Sequence, residues 1–165
     1  MEKVFFYDTP VGKLCIGEEN DSITRVTWSK VPEEYIQEET ELILNCKIQL
    51  EEYFAGKRKN FDLPLAPKGT DFQKRVWKAL TDIPYGETRT YGEIAAAVGN
   101  PKAARAVGMA NNKNPIGIII PCHRVVGSNH TLIGYAGGLA AKQGMLALEA
   151  DSCDGPSGSR IGQLF

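Results

Sequence analysis

The sequence predicts an α+β fold, a small antiparallel sheet with one helix followed by a mainly helical half that carries a helix-turn-helix. Three observations point there. Residues 3–28 break into short alternating runs separated by turn residues, the pattern of a half-buried meander. Thr70-x-x-Gln73 and Thr90-x-x-Glu93 are capping boxes that mark helix starts in the second half. Between the halves, Leu63-Pro64-Leu65-Ala66-Pro67-Lys68-Gly69 reads as a linker, which sets expected domains at 1–67 and 68–150. A tail rich in Ser, Gly, Asp and Pro over 151–165 is expected to be flexible.

Taken in order, Lys3–Asp8, Gly12–Gly17 and Ser22–Trp28 are the strands, joined by Asp8-Thr9-Pro10 and Glu19-Asn20-Asp21. A helix is expected from near Pro32, because proline suits a first turn. Leu42, Cys46, Leu50, Tyr53 and Phe54 share one face of it, and Gly56 is its stop. After the linker, Thr70 caps a helix whose stripe is Phe72, Val76 and Leu80 and which ends before Pro84. Trp77 reads as core or as a domain contact. Thr90 caps a short helix that stops at Gly99, and Asn100-Pro101 starts another through Lys102–Ala110. Two short helices around a tight glycine-containing turn describe a helix-turn-helix or an ordinary helical hairpin. The second is mostly Ala and Gly, with Arg105 as the lone long cation of its interior, so its backbone can approach another surface closely. The uncharged run Asn114–Ile119 reads as a fully buried strand.

Net charge is −1 over 165 residues, yet the halves differ. Residues 1–67 hold 8 Lys/Arg against 13 Asp/Glu, a net of −5, and residues 68–165 hold 11 against 7, a net of +4. Four cations and no acid lie between Lys102 and Arg124. That asymmetry fits a polyanion partner for the second half, or ordinary variation between solvated faces. No run is long and apolar enough for a membrane span and the start Met1-Glu2-Lys3-Val4 is no signal peptide, so a soluble intracellular protein is expected. Cys15, Cys46, Cys122 and Cys153 have no paired spacing, and only His123 and His130 could join them as soft ligands. No metal site and free thiols are expected.

Chemistry concentrates in Ile120-Pro121-Cys122-His123-Arg124-Val125. A thiol beside an imidazole is the simplest recipe for an activated sulfur nucleophile, since a base nearby raises the thiolate fraction. The apolar run ahead of it would deliver that sulfur into a pocket rather than onto an open surface.

Tyr91, Ala103-Ala104-Arg105-Ala106-Val107-Gly108, Asn114-Pro115, Pro121-Cys122-His123-Arg124-Val125, Gly134-Tyr135-Ala136-Gly137-Gly138-Leu139 and Leu148-Glu149 occur here in one order. In that order they resemble the O6-alkylguanine-DNA alkyltransferases. The resemblance is specific across 70–150; residues 1–67 resemble only in outline that family's ribonuclease H-like N-terminal domain. It implies a winged-helix-like second domain that flips O6-alkylguanine, mainly O6-methylguanine with O4-methylthymine as a further candidate, out of duplex DNA. The alkyl group would pass irreversibly to the protein's own cysteine. By resemblance Cys122 is the acceptor, His123 the base acting through a water, Glu149 the carboxylate orienting the imidazole, Tyr91 the proton donor to the departing guanine, and Asn114 a hydrogen-bonding anchor. Arg105 would fill the gap left by the flipped base, with Lys102, Ala103, Ala104, Gly108 and Arg124 against the DNA minor groove. Met109, Val125, Tyr135 and Ala136 would shape the pocket, and Ala136 stands where some members have serine. The thioether product offers water no electrophilic carbonyl, so one turnover per molecule is expected, from a monomer in the cytoplasm (or the nucleus of a eukaryote), without cofactor.

Three other readings compete. A lesion-binding relative of the family lacks the acceptor cysteine, which Cys122 argues against. A Cys-His hydrolase would turn over repeatedly, and a transcription regulator has no use for a buried nucleophile.

Overall fold

A computed structural model describes residues 1–28, 30–132 and 134–153. Its first half is a four-stranded sheet covered by one helix. Strands β1 (Lys3–Thr9), β2 (Gly12–Glu19) and β3 (Ser22–Thr27) form the expected antiparallel meander. A fourth strand, β4 (Ile36–Gln37), lies parallel to β1 and makes the sheet mixed, in the order β3-β2-β1-β4. This strand displaces the helix expected from Pro32. Ile36 and Glu38 spend their backbone N–H groups on the carbonyls of Glu2 and Val4, so helix α1 (Glu41–Phe54) begins only after Thr40, whose hydroxyl accepts from the Ile43 amide. Cys46, Leu50 and Tyr53 are buried against the sheet, with Ile43 beside them.

The linker is not loose. The Ile23 amide donates to Pro64 O at 2.8 Å and Ala66 donates back to Ile23 O at 2.8 Å, so residues 64–66 run beside β3. Further along that edge, Val26 donates to Pro115 O and Gly117 donates to Val26 O, both at 2.9 Å. One strand of the first half therefore holds both the entry to the second half and the approach to Cys122.

Both capping boxes form, at α2 (Asp71–Thr81) and at α3 (Tyr91–Ala97). Between them β5 (Arg89–Thr90) pairs in parallel with β6 (Val125–Val126). Helix α4 (Ala104–Asn112) starts later than the Asn100-Pro101 signal suggests. The Ala103 amide closes a turn onto Asn100 O at 3.0 Å, which leaves Asn100 and Pro101 in the connection rather than at the cap. Helix α5 (Leu139–Cys153) is the last described element. It takes in the first three residues of the expected tail; residues 154–165 lie outside the described ones.

The run ahead of Cys122 is buried as expected but is not a strand. Ile116, Ile118, Ile119 and Ile120 are all in the core, yet only Ile116 bridges to a neighbour, Val26. Pro115 and Pro121 remove donors at both ends, and Ile118 adopts a left-handed φ of 69°. A β-branched residue there is strained, at a cost on the order of 1–3 kcal/mol. The Ile120 amide donates to Ile116 O, folding the run into compact turns that end on Cys122.

Trp77 fixes α4 against α2. It is 2 % exposed, and its indole N–H donates to Ala110 O at 2.9 Å. Trp77→Phe removes that bond and leaves a buried carbonyl with one fewer donor, so a loss of about 1–3 kcal/mol is expected. Urea unfolding should show a lower midpoint with an unchanged slope. An unchanged midpoint would mean that the bond contributes nothing to the seating of α4.

Candidate active site

Cys122, His123 and Arg124 form a single 3-10 turn, and all three are buried. Facing them, α5 turns Glu149 inward. Sequence alone allowed a helix-surface charge there, but Glu149 is 0 % exposed. His123 Nε2 lies 2.6 Å from Glu149 Oε2. Arg124 donates through Nε to Oε1 at 2.7 Å and through Nη2 to Oε2 at 3.1 Å. The Tyr53 hydroxyl, arriving from α1, donates to Oε2 at 2.6 Å. Burial alone would raise the Glu149 carboxyl; the hydrogen bonds of His123 and Arg124, with the positive charge of the guanidinium and of the imidazole when it is protonated, outweigh it and bring it down to about 2.

A carboxylate only accepts, so the proton on the His123 nitrogen facing it must sit on Nε2. In the neutral imidazole that leaves the lone pair on Nδ1, which is buried and without a hydrogen-bond partner among the described residues. An oriented imidazole with a bare nitrogen is a base awaiting a proton.

The Cys122 thiol, 6 % exposed, is not ionised in advance. Burial pushes it above its ordinary value, opposed by the Asn114 amide, the Tyr135 hydroxyl, the positive charge of Lys142 and a backbone N–H. Of the other described thiols, Cys15 has only the Arg25 charge to oppose its burial and Cys46 has nothing. Burial raises Cys15 to about 11 and Cys46 to about 12. Asn114 also ties the turn together, donating from Nδ2 to Ile120 O at 2.9 Å and accepting from the Ile116 amide at 3.0 Å.

Cys122 lines a cleft of about 250 Å³ together with Asn111, Asn114, Gly117, Tyr135 and Ala136. The far wall belongs to the first half of the chain and includes Arg25 and Trp28. Trp28 donates its indole N–H to Val11 O at 2.8 Å and meets Tyr135 edge-on with ring centroids 5.2 Å apart. A Cβ on Gly117 or Gly137 would fall 2.8 Å or 2.5 Å from its ring, so both glycines are required for Trp28 to lie there. Tyr91, first residue of α3, packs its ring against Gly108 of α4. Burial and then the charge at Cys122 raise its phenol, which keeps it protonated and able to donate.

Three sequence expectations are corrected. Arg124 cannot reach DNA, because its guanidinium is buried on Glu149 and on Ile83 O. Met109 is 64 % exposed on the outer face of α4, one turn from exposed Arg105, and does not line the cleft. Val125 is 0 % exposed in the core at β6 and does not line it either. Lys102 and Arg105 are exposed, while Ala103, Ala104 and Gly108 are half-buried. The structure also adds Tyr53, Trp28 and Lys142. Lys142 had a readable signal, since it is the lone cation of an apolar helix and stands seven residues from Glu149, hence on the same face. Tyr53 and Trp28 carried none, because each looks like core until its partner is known.

A helix-turn-helix set beside a buried, base-assisted cysteine defines a DNA-binding protein with a sulfur nucleophile. Comparison narrows that class. Residues 4–67 match the ribonuclease-like domain of 6-O-methylguanine DNA methyltransferase, and residues 71–151 match its DNA binding domain. The methylated-DNA–protein-cysteine methyltransferase of Methanosarcina acetivorans is 52% identical over 153 residues, covering 89% of this chain and 97% of that protein. The constitutive enzyme of the same name from Bacillus subtilis is 54% identical over 138 residues, covering 79% and 84%. The crystal structure of Mycobacterium tuberculosis OGT in complex with DNA has a TM-score of 0.88 at 41% identity and covers 98% of each chain. This chain belongs to the 6-O-methylguanine DNA methyltransferase family.

Glu149→Gln tests the charge network. Because folding depresses this carboxyl, its stabilisation is present above pH 4.5 and is lost as pH falls through about 2. The amide strands the Arg124 guanidinium, so a loss of about 3–5 kcal/mol at neutral pH is expected. Urea unfolding across pH should show wild type and variant converging toward pH 2. A difference independent of pH would contradict the assignment.

Proposed function

We propose that this protein repairs O6-alkylguanine in duplex DNA, above all O6-methylguanine, by moving the alkyl group onto Cys122 Sγ once per molecule. The observation that carries the reading is Cys122 on the cleft wall, followed in the chain by an imidazole whose Nε2 is committed to Glu149 and whose Nδ1 is bare. The flipped base enters the cleft and His123 Nδ1 takes the thiol proton, relayed by a water. The sulfur attacks the alkyl carbon as the bond from that carbon to O6 breaks. Electrons from that bond go to the purine, and the Tyr91 hydroxyl supplies it a proton. The proton on the imidazole then returns through solvent to the Tyr91 phenolate, so that overall the thiol proton is exchanged for the alkyl group and atoms and charge balance. No second step follows, because a thioether has no carbonyl for water to attack.

Extrusion of the base costs a few kcal/mol. Arg105 stands exposed on α4, with Ala103, Ala104 and Gly108 leaving the helix backbone free to approach the minor groove, and Lys102 beside a phosphate. Residues 1–67 form the wall-bearing domain, residues 68–150 the DNA-binding and transfer domain. Among the described residues no helix is long and apolar enough to cross a membrane. As a protein that acts on DNA, it belongs in the cytoplasm, or in the nucleus of a eukaryote, and works as a monomer.

Incubation with an O6-methylguanine duplex should add one methylene to the intact mass, and peptide mapping should place it on Cys122. Cys122→Ser should bind the duplex and acquire nothing. Label on Cys15, Cys46 or Cys153 would overturn the assignment.

Arg105→Ala separates extraction from chemistry. Its single-turnover rate on methylated duplex should fall about tenfold or more, ~1.4 kcal/mol at the transition state. Reaction with free O6-benzylguanine, which needs no extraction, should keep its wild-type rate. Equal losses on both substrates would place Arg105 in the pocket instead.

A further inference from the structure

We propose that Tyr53, supplied by the N-terminal domain, is a positioning residue of the alkyl-transfer site, its hydroxyl sharing Glu149 Oε2 with His123 and so governing how strongly that carboxylate holds the imidazole. The inference rests on the reading of Cys122, His123 and Glu149 given above.

Helix α1 needs an aromatic ring at position 53, but not a phenol. Its other buried positions include Ile43, Cys46 and Leu50, and the Tyr53 ring lies among Phe54, Phe61, Tyr85 and His123, with centroids 5.5–6.5 Å away. Phenylalanine would fill that space. A buried hydroxyl is unfavourable unless bonded, and the bonds available to this one are the 2.6 Å contact to Glu149 Oε2 and a 3.5 Å approach to His123 Nε2. At 2.6 Å an O–H···O⁻ bond is in the short, charge-assisted range. Burial, with the Glu149 charge next, raises the Tyr53 phenol well above its ordinary value, so it stays a donor.

Donor assignment shows the consequence. Oε1 is served by Arg124 Nε and, at 3.4 Å, by the Gly86 amide. Oε2 is served by His123 and Tyr53, each at 2.6 Å, and by Arg124 Nη2 at 3.1 Å. Two short bonds to one oxygen compete for its charge. Without the Tyr53 hydroxyl, more of that charge falls on the His123 N–H, which stabilises the protonated imidazole. The base then becomes free only at higher pH. The other charged or titratable groups facing this assembly are Arg124 and Tyr85, with Tyr91, Tyr135 and Lys142 beyond it at Cys122. Tyr53→Phe keeps the ring against Tyr85 and the Arg124 bond to Oε2, and removes only the hydroxyl.

The test is the pH profile of single-turnover transfer from methylated duplex, measured on the full chain. For Tyr53→Phe the acidic limb should move up by about half a unit or more, with duplex affinity unchanged. Phe61→Leu, which loosens the packing around the same ring but keeps the hydroxyl, should lower the melting temperature and leave the limb in place. Installing 3-fluorotyrosine at position 53 makes a stronger donor of nearly the same size and should move the limb down. A Tyr53→Phe profile that superimposes on wild type, even at a uniformly reduced rate, would overturn the proposal, as would a 3-fluorotyrosine limb that does not move. Failure of wild-type Cys122 to take up the methyl group would instead remove the reading on which the proposal stands.

Discussion

Glu149 is the point on which this structure turns. Its carboxylate sits at 0 % exposure and receives donors from three separate parts of the chain: Tyr53 on α1, His123 and Arg124 on the nucleophile's turn, and the amide of Gly86. An ion so placed costs several kcal/mol unless its partners are all in position. Whole domains are stable by only about 5–15 kcal/mol. The segments therefore have to close on one another together, and the geometry around the sulfur is a consequence of that closure. A charge whose burial is unfavourable in isolation becomes the device that sets the angle and the tautomer of the imidazole.

The same arrangement sets Cys122 apart from the other described thiols. All three are buried and pushed toward the protonated form. Only Cys122 is met by Asn114, Tyr135 and the Lys142 charge, which pull the other way, and only it adjoins a base. On the outside, α4 places Arg105 in the open.

Much of this was legible in the residues. Both capping boxes, the meander and the burial of the adjacent Cys122-His123 pair could be read because each depends on local chemistry or short spacing. The late start of α1 could not, because the backbone of Ile36 and Glu38 is claimed by β1, far away in sequence. The isoleucine run reads as a strand by composition, and only its prolines and the left-handed Ile118 turn it into a compact coil. Arg124 illustrates the limit most sharply. A cation in a basic, DNA-binding half looks like a phosphate contact until a buried carboxylate 25 residues later is placed beside it. Trp28 and Tyr53 were hidden for a related reason. Each is an ordinary core aromatic of the first domain whose polar or steric role exists only across the boundary between domains.

That boundary is where the two halves become one site. Strand β3 holds the linker and the approach to Cys122 along one edge, Trp28 walls the cleft, and Tyr53 reaches Glu149. The claim that joins these observations is that His123 keeps its proton on Nε2, toward Glu149, and leaves Nδ1 bare for the thiol. Long-range proton–nitrogen NMR of the His123 ring reads this directly. The account predicts that the neutral imidazole is the Nε2–H tautomer, with that proton shifted far downfield by its short bond and lost from this position in Glu149→Gln. A neutral imidazole protonated at Nδ1 would contradict it.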